Sequence, residues 1–535
     1  MKHLIIHRSE NAQLSDIRSL WENEPGFSPS LVIAYVSPHL DFNAVVYKYS
    51  SDLGDIPFLA IMTAGELCQS SDDIENRELD LYGQQYQSPA VVFQIFNKSL
   101  LSDVSLHEVP LYSEDIKYKK IEFNISARIS MIERECEAIE LPFCVRSDDS
   151  FALTYIDGLS NSENFLLEAI YKTKKFPCMF IGGSSGGALD FEHSYMAING
   201  RVVTDSALIA FCKMAKGKRF SPFKTQSGVL ESAEYCIVVE ASNELRGLKS
   251  VLDMSSMRVM SMQDYLCMRL SCEKHDLKEA FTGYDLAIQV GGEVFLRSIG
   301  AFDEEGKGVT LFCDVNVGDK LYLVKDSSFV DKTRQDLLAY FKGKSKPIAG
   351  ILNDCIQRRA NNTSVLDQSN DFFDMPVAGF STFGEVFGIN INNTLSALFF
   401  YDIGEDEVFY DDFMNKFAIH FASFMNFYAE QKLNRDSAIN QLRNIVAEKV
   451  AEYLERSIEI SELIQQNLED TAEVGLDTIA DLNEELLHDA QNLNMIISIV
   501  DKEEKKSSDR ELSSSELLYD ALCTNIELNF KIHDY

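Results

Sequence analysis

The sequence predicts a mixed α/β body of two modules followed by an all-α tail. Apolar, strand-like runs alternate with longer amphipathic segments in the first part of the chain, and the same style returns in the second part. Beyond Gly404 the character changes, because residues 405–535 contain no proline and a single glycine. These observations divide the chain into residues 1–225, 226–404 and 405–535.

The first module consists of alternating strand-like and helix-like segments. Its apolar runs are "LVIAYVS", "FLAIMTA", "AVVFQIF" and "CMFIGG". Between the last two, "SENFLLEAIYKTKK" has the apolar spacing of an amphipathic helix. This alternation predicts a layered α/β arrangement.

The second module also alternates strand-like runs with longer polar segments. Its strand-like runs include "YCIVVEAS", "VFLRSIGAFDEEGKGVTLFCDV", "PIAGILNDCIQRR" and "LSALFFYDI". Gly306 and Gly308 supply turn signals between them. We therefore expect a second α/β module over residues 226–404.

The tail has the spacing of a long amphipathic helix. Apolar residues recur by threes and fours at Leu442, Ile445, Val446, Val450, Tyr453, Leu454 and Ile458. Gly475 is placed to form the tip of an antiparallel helical hairpin. Such a pair either packs on the body or forms a coiled segment for dimerisation or partner docking, and the long seam favours the second interpretation.

Composition limits the partners. Lys and Arg number 49 against 84 Asp and Glu, a formal net charge of −35 that would repel nucleic acid and anionic membrane surfaces. No apolar stretch is long enough to span a bilayer, and "MKHLIIHRSE" has too short an apolar core for a signal peptide, so we expect a cytoplasmic protein. Eleven cysteines show no C-x-x-C pair. Cys267, Cys272 and His275 could supply three zinc ligands, but no fourth ligand lies nearby.

The densest run of small residues is "FIGGSSGG", residues 180–187, which leaves backbone amides uncovered by side chains. Gly182 to Gly186 fit G-x-S-x-G, the pattern that exposes a nucleophilic serine between a strand and a helix. The following "DFEHSYMAINGRVV" alternates with the strand period instead, and Asn199-Gly200 predicts a hairpin turn. We therefore expect a ligand cradle here, with nucleophilic catalysis at Ser184 or Ser185 as an alternative.

Five segments together resemble a known family. "FLAIMTAGELCQS" and "FIGGSSGGALDFEHSYMAINGRVVTDSALIAF" are similar to the FIST (F-box and intracellular signal transduction) N-terminal sensory domain. "FLRSIGAFDEEGKGVTLFCDVNVGDKLYLV", "ILNDCIQRR" and "MPVAGFSTFGEVFG" resemble its companion C-terminal domain. The resemblance covers roughly residues 30 to 400. Met62 stands where a serine is usual, and Gly187 replaces a common acidic residue.

The resemblance implies a small-ligand sensor in signal transduction, and one branch of the family binds haem and reports nitric oxide to a partner histidine kinase. The chain has no recognisable kinase phosphoacceptor box or cyclic-nucleotide synthase motif, so it would act through a signalling protein in trans. For haem b, His193 is the best-placed iron ligand. In the expected strand it alternates with Phe191 and Tyr195 and points into an aromatic-lined space. His39 in "VSPHLDF" is the second candidate.

The remaining ligand-binding candidates lie at strand exits, where open α/β sheets collect ligands. Arg297 could pair with a carboxylate of a ligand, or form a surface salt bridge. The complete expected site comprises Thr63, Glu66, Gly183, Ser184, Ser185, Gly186, His193, Tyr195, Arg297, Thr382 and Glu385.

Three functions stay open on the sequence alone. The first is a haem-dependent nitric-oxide sensor that regulates a separate enzyme through its helical tail. The second is a haem-free sensor of an amino acid or another metabolite. The third is a serine-dependent hydrolase that uses Ser184.

Overall fold

The computed structural model describes residues 2–77, 79–85, 88–190, 192–404, 409–469 and 493–503. Within these ranges the strands form four β-sheets, flanked by helices. The predicted mixed α/β body is confirmed, and so is a helical tail over its described part.

The first sheet is built around the parallel pair β2 and β3, with the strand order β1-β5-β2-β3-β9-β10. Residues Leu31 to Val36 of β2 are completely buried, as expected for a strand covered on both faces. Helix α1 (Phe42–Leu53) connects β2 to β3 and packs on the outer face of the sheet. The strands are β1 (Leu4–Glu10), β2 (Pro29–Val36), β3 (Phe58–Met62), β5 (Ala90–Asn97), β9 (Met196–Ile198) and β10 (Arg201–Val203).

The second sheet repeats this arrangement around the parallel pair β7 and β8, in the order β6-β11-β7-β8-β23-β24. Helix α5 connects the two parallel strands. The strands are β6 (Leu101–Pro110), β7 (Ser150–Ile156), β8 (Met179–Ser184), β11 (Ser206–Met214), β23 (Glu385–Phe387) and β24 (Ile389–Ile391).

The third sheet follows the same plan around the parallel pair β21 and β22, in the order β12-β25-β21-β22-β4. Helix α9 leaves the end of β21. The strands are β4 (Glu66–Gln69), β12 (Lys218–Gln226), β21 (Ala349–Cys355), β22 (Val377–Thr382) and β25 (Thr394–Asp402).

The three sheets exchange strands in a ring. After β3 the chain leaves the first sheet and adds β4 to the edge of β22 in the third sheet. After β22 it adds β23 to the edge of β8 in the second sheet. After β8 it adds β9 to the edge of β3 in the first sheet. Each sheet is therefore completed by the next one around a pseudo-threefold axis.

The backbone hydrogen bonds at the three crossings repeat in the same register. The amide of Ala64 donates to Ser381 O (2.9 Å), and that of Phe383 donates to Ser184 O (3.2 Å). The amide of Gly186 donates to Met62 O (2.8 Å). Met62, Ser184 and Ser381 are therefore equivalent positions, and we call residues 62–66, 184–187 and 381–385 the three junctions. Two of the equivalent positions hold the serine that Met62 replaces in the first.

The side chains inside the ring form the largest apolar cluster of the body. Tyr35 and Tyr155 occupy equivalent positions on β2 and β7, and their hydroxyl oxygens lie 3.5 Å apart. The ring of Tyr35 stacks on Phe380 with centroids 5.5 Å apart. The axis is thus filled by packed aromatic residues, so the ring does not enclose an open channel there.

The fourth sheet is inserted between β12 and β21, in the order β17-β16-β20-β13-β14-β19-β18, with β15 paired to β14. The predicted module boundary at residue 225 falls at the end of β12, whose partner β25 belongs to the predicted second module. The two predicted modules therefore share sheets. The strands are β13 (Gly228–Ser242), β14 (Gly247–Asp253), β15 (Arg258–Ser261), β16 (Tyr284–Val290), β17 (Glu293–Leu296), β18 (Ile299–Phe302), β19 (Val309–Leu311) and β20 (Lys320–Asp326).

The α-helices of the body lie between these strands. They are α1 (Phe42–Leu53), α2 (Ser71–Asn76), α3 (Glu114–Lys117), α4 (Ile125–Ala138), α5 (Glu163–Thr173), α6 (Met262–Leu270), α7 (Leu277–Ala280), α8 (Phe329–Phe341) and α9 (Ile356–Asn361). Short 3-10 turns cover Ile17–Leu20, Lys274–Asp276 and Leu366–Ser369.

The tail comprises α10 (Asp412–Asn415), α11 (Phe417–Glu469) and a helix over residues 493–503. Its described part packs on the fourth sheet, because Ile439 and Leu442 of α11 and Ile496 are buried in one cluster with Ile237 and Val239 of β13. These contacts confirm the predicted helical spacing for Leu442, Ile445 and Val446, whereas Ile458 is exposed. They favour the interpretation in which the tail packs on the body. Gly475, the expected hairpin tip, lies outside the described residues.

Candidate functional site

The ring brings most of the predicted site residues together. The three junctions and the end of β8 contain Thr63, Glu66, Gly183, Ser184, Ser185, Gly186, Thr382 and Glu385. All of them are buried. They lie in the interior of the protein, at the positions where the sheets join one another.

Two junctions hold a buried threonine–glutamate pair. The hydroxyl of Thr63 donates to Glu66 Oε1 (2.7 Å), and the hydroxyl of Thr382 donates to Glu385 Oε1. Burial raises the pKa of the Glu66 carboxyl, and burial raises that of Glu385 well above its ordinary value. Burial thus disfavours the charged form of the Glu385 carboxyl, which lies in the junction at residues 381–385.

These buried carboxyls make folding stability depend on pH. Burial raises the pKa of Asp285, Asp314 and Asp319 to about 6, above the value of about 4 in an unfolded chain. Since the native state then binds more protons, their contribution is complete below pH 4 and is lost as pH rises through 6. For Glu385 the loss extends to higher pH.

We expect Glu385→Gln to flatten the fall of the unfolding free energy as pH rises, because the variant removes a carboxyl whose pKa burial raises. Urea unfolding at pH 5.5, 6.5 and 7.5 measures this slope. Glu22→Gln, at an exposed site, is the control and should leave the slope unchanged. An identical slope in wild type and Glu385→Gln would contradict a raised pKa at Glu385.

Ser184 does not have the geometry of a nucleophile. Its side chain is fully buried, and its hydroxyl donates to Glu163 Oε1 (2.7 Å). Glu163 is in turn paired with the guanidinium of Arg246 and, among the described residues, is not next to a histidine base. Ser185 is also buried and shares a hydrogen bond with Ser194 (2.7 Å between hydroxyl oxygens). Neither serine supports the hydrolase alternative.

The segment after Gly187 is irregular where a strand was expected. No helix follows the glycine stretch among residues 188–190 and 192–195, as expected, but β9 begins only at Met196. The hairpin turn at Asn199-Gly200 is confirmed, since both residues have positive φ between paired strands. Phe191 lies outside the described residues. The expected alternation of side chains on one strand face is therefore wrong for His193 and Tyr195.

His193 lies on the surface instead of pointing into the interior. Its side chain is 56% exposed, and its Nδ1 lies 3.1 Å from Asp190 Oδ2. Asp190 also accepts the backbone amides of Glu192 and His193, and these bonds lower its pKa to about 2. These contacts hold the imidazole at the rim of a surface cavity.

A cavity of about 270 Å³ lies at the carboxyl ends of β2 and β3, beside the first turn of α1. We call it the first crevice. Helix α1 begins there because the carboxylate of Asp41 caps the amide of Ala44 (3.0 Å). The cavity is lined by Pro38, Leu40, Asp41, Phe42, Asn43, Met62, Ala188, Asp190, His193 and Tyr195. Of the predicted site residues, His193 and Tyr195 line it.

Sequence reasoning missed Asp41, Phe42 and Asp190. The signal for the first two was available, since an aspartate before an apolar periodic segment marks a helix start at a strand end. His39, the second predicted haem ligand, is exposed and does not line the cavity.

The first crevice does not fit a porphyrin in this conformation. Cavities for drug-sized ligands measure about 300–1,000 Å³, and this one is about 270 Å³. A haem ligand also needs an apolar slot around the imidazole, whereas His193 is mostly exposed. The cavity favours a smaller ligand, and haem b with His193 as its iron ligand stays a prediction.

Arg297 is not the surface residue that one interpretation expected. It follows β17, but its side chain is only 1% exposed, and its Nη1 donates to Leu296 O (2.9 Å). Its Nε has no hydrogen-bond partner among the described residues. Arg297 does not line the first crevice, so a ligand there would not contact it.

The described residues contain no cluster of three or more His, Cys, Asp or Glu side chains that could hold a metal ion. His275 is exposed beside Asp276. The zinc interpretation of Cys267, Cys272 and His275 is therefore not supported.

The fold and the cavity define an α/β protein with a crevice at the carboxyl ends of parallel strands. The chain contains a FIST N domain over residues 30–244 and a FIST C domain over residues 261–388. The first spans the first crevice and two junctions, and the second contains the junction at residues 381–385. No curated protein matches the chain significantly in sequence. Among the described residues, no helix combines the length and apolar character needed to cross a membrane.

Proposed function

We propose that this protein is a signalling sensor that binds a small ligand in the first crevice. The observation that carries the proposal is the cavity beside the first turn of α1, within the FIST N domain. Aromatic and apolar walls with a few polar groups are typical of small-molecule sites. The FIST C domain supports a role in signal transduction.

A continuous series of contacts connects the crevice to the tail. Met62 lines the crevice, and its carbonyl accepts the amide of Gly186 in the next junction. The neighbouring Ser184 is bonded to Glu163 in the first turn of α5. The next residue, Asn164, accepts the hydroxyl of Tyr428 on α11 (3.1 Å). Packed side chains and hydrogen bonds of this kind can carry energetic coupling between sites.

The tail is the output in this proposal. Helix α11 packs on the body between Phe417 and Val446 and extends to Glu469. Ligand binding would change the packing of Tyr428 and thereby the position of the helix that a partner contacts. The partner is a separate signalling protein, such as a histidine kinase, and a homodimer through residues 405–535 is the second arrangement. A cytoplasmic location follows from such a partner.

The ligand proposed here is a metabolite of amino-acid size. The cavity volume supports this choice over haem. The haem and nitric-oxide prediction has its own test, because a purified protein that binds haem would show a Soret band after addition of haemin. A band that nitric oxide shifts and His193→Ala removes would support haem over the smaller ligand.

The decisive test uses a variant whose larger side chain fills the cavity. Ala188 is an exposed lining residue, so tryptophan there should occupy the crevice without disturbing the core. We expect metabolites that raise the melting temperature of the wild type to lose that effect in Ala188→Trp. Ala429→Trp, at an exposed position of α11, is the matched control. Equal ligand stabilisation in wild type and Ala188→Trp would overturn the proposed site.

Coupling to the tail is measured by hydrogen exchange. Ligand should change exchange in α11 around Tyr428, and Tyr428→Phe, which removes the bond to Asn164, should reduce that change. A ligand that alters exchange only around the crevice would contradict the output through α11.

A further inference from the structure

The first crevice lies at the carboxyl edge of the pair β2 and β3, and the other two parallel pairs have an equivalent edge. Met62, Ser184 and Ser381 mark the same position at each edge, because they share the backbone register described above. We call the equivalent region at Ser184 the second crevice and the equivalent region at Ser381 the third. A comparison of the three shows what each of them contains.

The third crevice holds the guanidinium of Arg359 from α9. Its Nη1 lies 3.4 Å from Glu66 O and 3.5 Å from Ser381 Oγ, and its Nη2 donates to Tyr82 O (2.7 Å). A Cβ on Gly65 would lie 2.1 Å from Nη1, so the glycine makes room for the cation. The ring of Tyr82 lies 5.6 Å from the guanidinium carbon.

The second crevice also holds a guanidinium, that of Arg246 from the fourth sheet. It pairs with Glu163, the carboxylate that receives the Ser184 hydroxyl, and its Nε lies 3.0 Å from Asp314 Oδ1. Its Nη1 donates to Phe312 O. Two of the three equivalent crevices are thus occupied by an organic cation that the chain itself supplies.

The first crevice has no arginine or lysine among its lining residues, which are all described. Its charged groups are the carboxylates of Asp41 and Asp190, with His193 at the rim. The rings of Phe42 and Tyr195 form part of the wall, with centroids 5.9 Å apart. Carboxylates together with aromatic faces form a favourable environment for a cation.

We propose that the first crevice binds a small organic cation, a guanidinium or amidinium group or a primary ammonium group, in the place that arginine side chains take in the other two crevices. This inference rests on the proposed function and specifies the chemical class of its ligand. It follows from the internal repeat and from the lining of the cavity. The formal net charge of −35 favours the approach of such a ligand over that of an anion.

Three planar probes of nearly identical shape test the charge preference at pH 8. They are benzamidine, a cation, benzamide, which is neutral, and benzoate, an anion. We expect benzamidine to bind in titration calorimetry and benzamide to bind at least about tenfold more weakly, since it lacks the charge-assisted bonds. Benzoate should give no measurable heat.

Isosteric variants assign the binding to the two carboxylates. Asp41→Asn keeps the helix cap, because asparagine caps as well as aspartate, and Asp190→Asn keeps an acceptor for the two backbone amides. Each should weaken benzamidine binding by about tenfold. The matched control is Asp16→Asn, since Asp16 caps the turn Ile17–Leu20 outside the cavity, and it should leave binding unchanged.

Ala188→Trp separates binding in the crevice from general attraction to an acidic surface, because it leaves the net charge unchanged. Loss of benzamidine binding in this variant supports the inference. Equal or tighter binding of benzamide or benzoate would overturn it, and so would the absence of binding by benzamidine. In those cases the proposed function still stands if metabolites of another class lose their effect in Ala188→Trp, whereas it fails if no ligand effect depends on residue 188.

Discussion

Gly186→Ala is expected to abolish the folded state at 37 °C or to destabilise it by more than about 4 kcal/mol, at the extreme of single substitutions. A Cβ on Gly186 would lie 2.2 Å from the backbone nitrogen of Ala64 and 2.4 Å from the backbone carbon of Thr63. Backbone cannot give way there, because the Gly186 amide is bonded to Met62 O and the Ala64 amide to Ser381 O. The substitution therefore separates strands of the first sheet from those of the other two.

Urea unfolding of the purified variant, or the soluble yield where it cannot be purified, measures this effect. Gly247→Ala is the matched control, since a Cβ there meets nothing within 4 Å. It should change the unfolding free energy by less than about 1 kcal/mol. A Gly186→Ala protein with wild-type stability would contradict the close approach of the junctions.

Arg246→Met is expected to lower the unfolding free energy by about 3–5 kcal/mol at pH 7.5. The variant removes the cation but leaves Glu163 and Asp314 buried, with exposed side-chain fractions of 3% and 1%. Two carboxylates without a counter-ion must then remain charged in the interior or take up protons. The double variant with Glu163→Gln should recover part of the loss, because one of these charges is absent.

Arg146→Met is the control for the loss of an arginine. Arg146 pairs with Asp148 at the surface, with exposed side-chain fractions of 62% and 59%. Exposed pairs contribute little, so we expect a change of about 0.5 kcal/mol or less. If Arg246→Met and Arg146→Met had equal effects, the buried pair would not hold the fourth sheet to the body as the structure indicates.

Local patterns in the sequence were sufficient to predict individual strands, turns and helices. The apolar runs "LVIAYVS" and "FLAIMTA" form parallel strands, because continuous burial on both faces requires a continuous apolar run. Asn199-Gly200 forms its hairpin turn because both residues tolerate positive φ. The spacing of Leu442, Ile445 and Val446 places them on one buried face of α11.

Local sequence patterns predicted the candidate site only in part. The residues at strand exits were brought together as expected, but in buried junctions, because each exit pairs with the edge of a different sheet. His193 was expected inside and lies at the rim, since an irregular segment replaces the strand on which its orientation depended. The burial of Arg297 could not be predicted, because an isolated arginine has no local pattern that distinguishes surface from interior.

The sequence by itself determined the α/β body, the helical tail, the acidic charge and the resemblance that the FIST N and FIST C domains confirm. These properties depend on periodicity, turn chemistry and composition, which are local or additive. Only the tertiary structure decided that three sheets exchange strands, that Arg359 and Arg246 fill two crevices, and that the first crevice is open. Those features depend on contacts between residues far apart in the chain, such as Arg359 with Tyr82. Short-range sequence patterns do not predict such contacts.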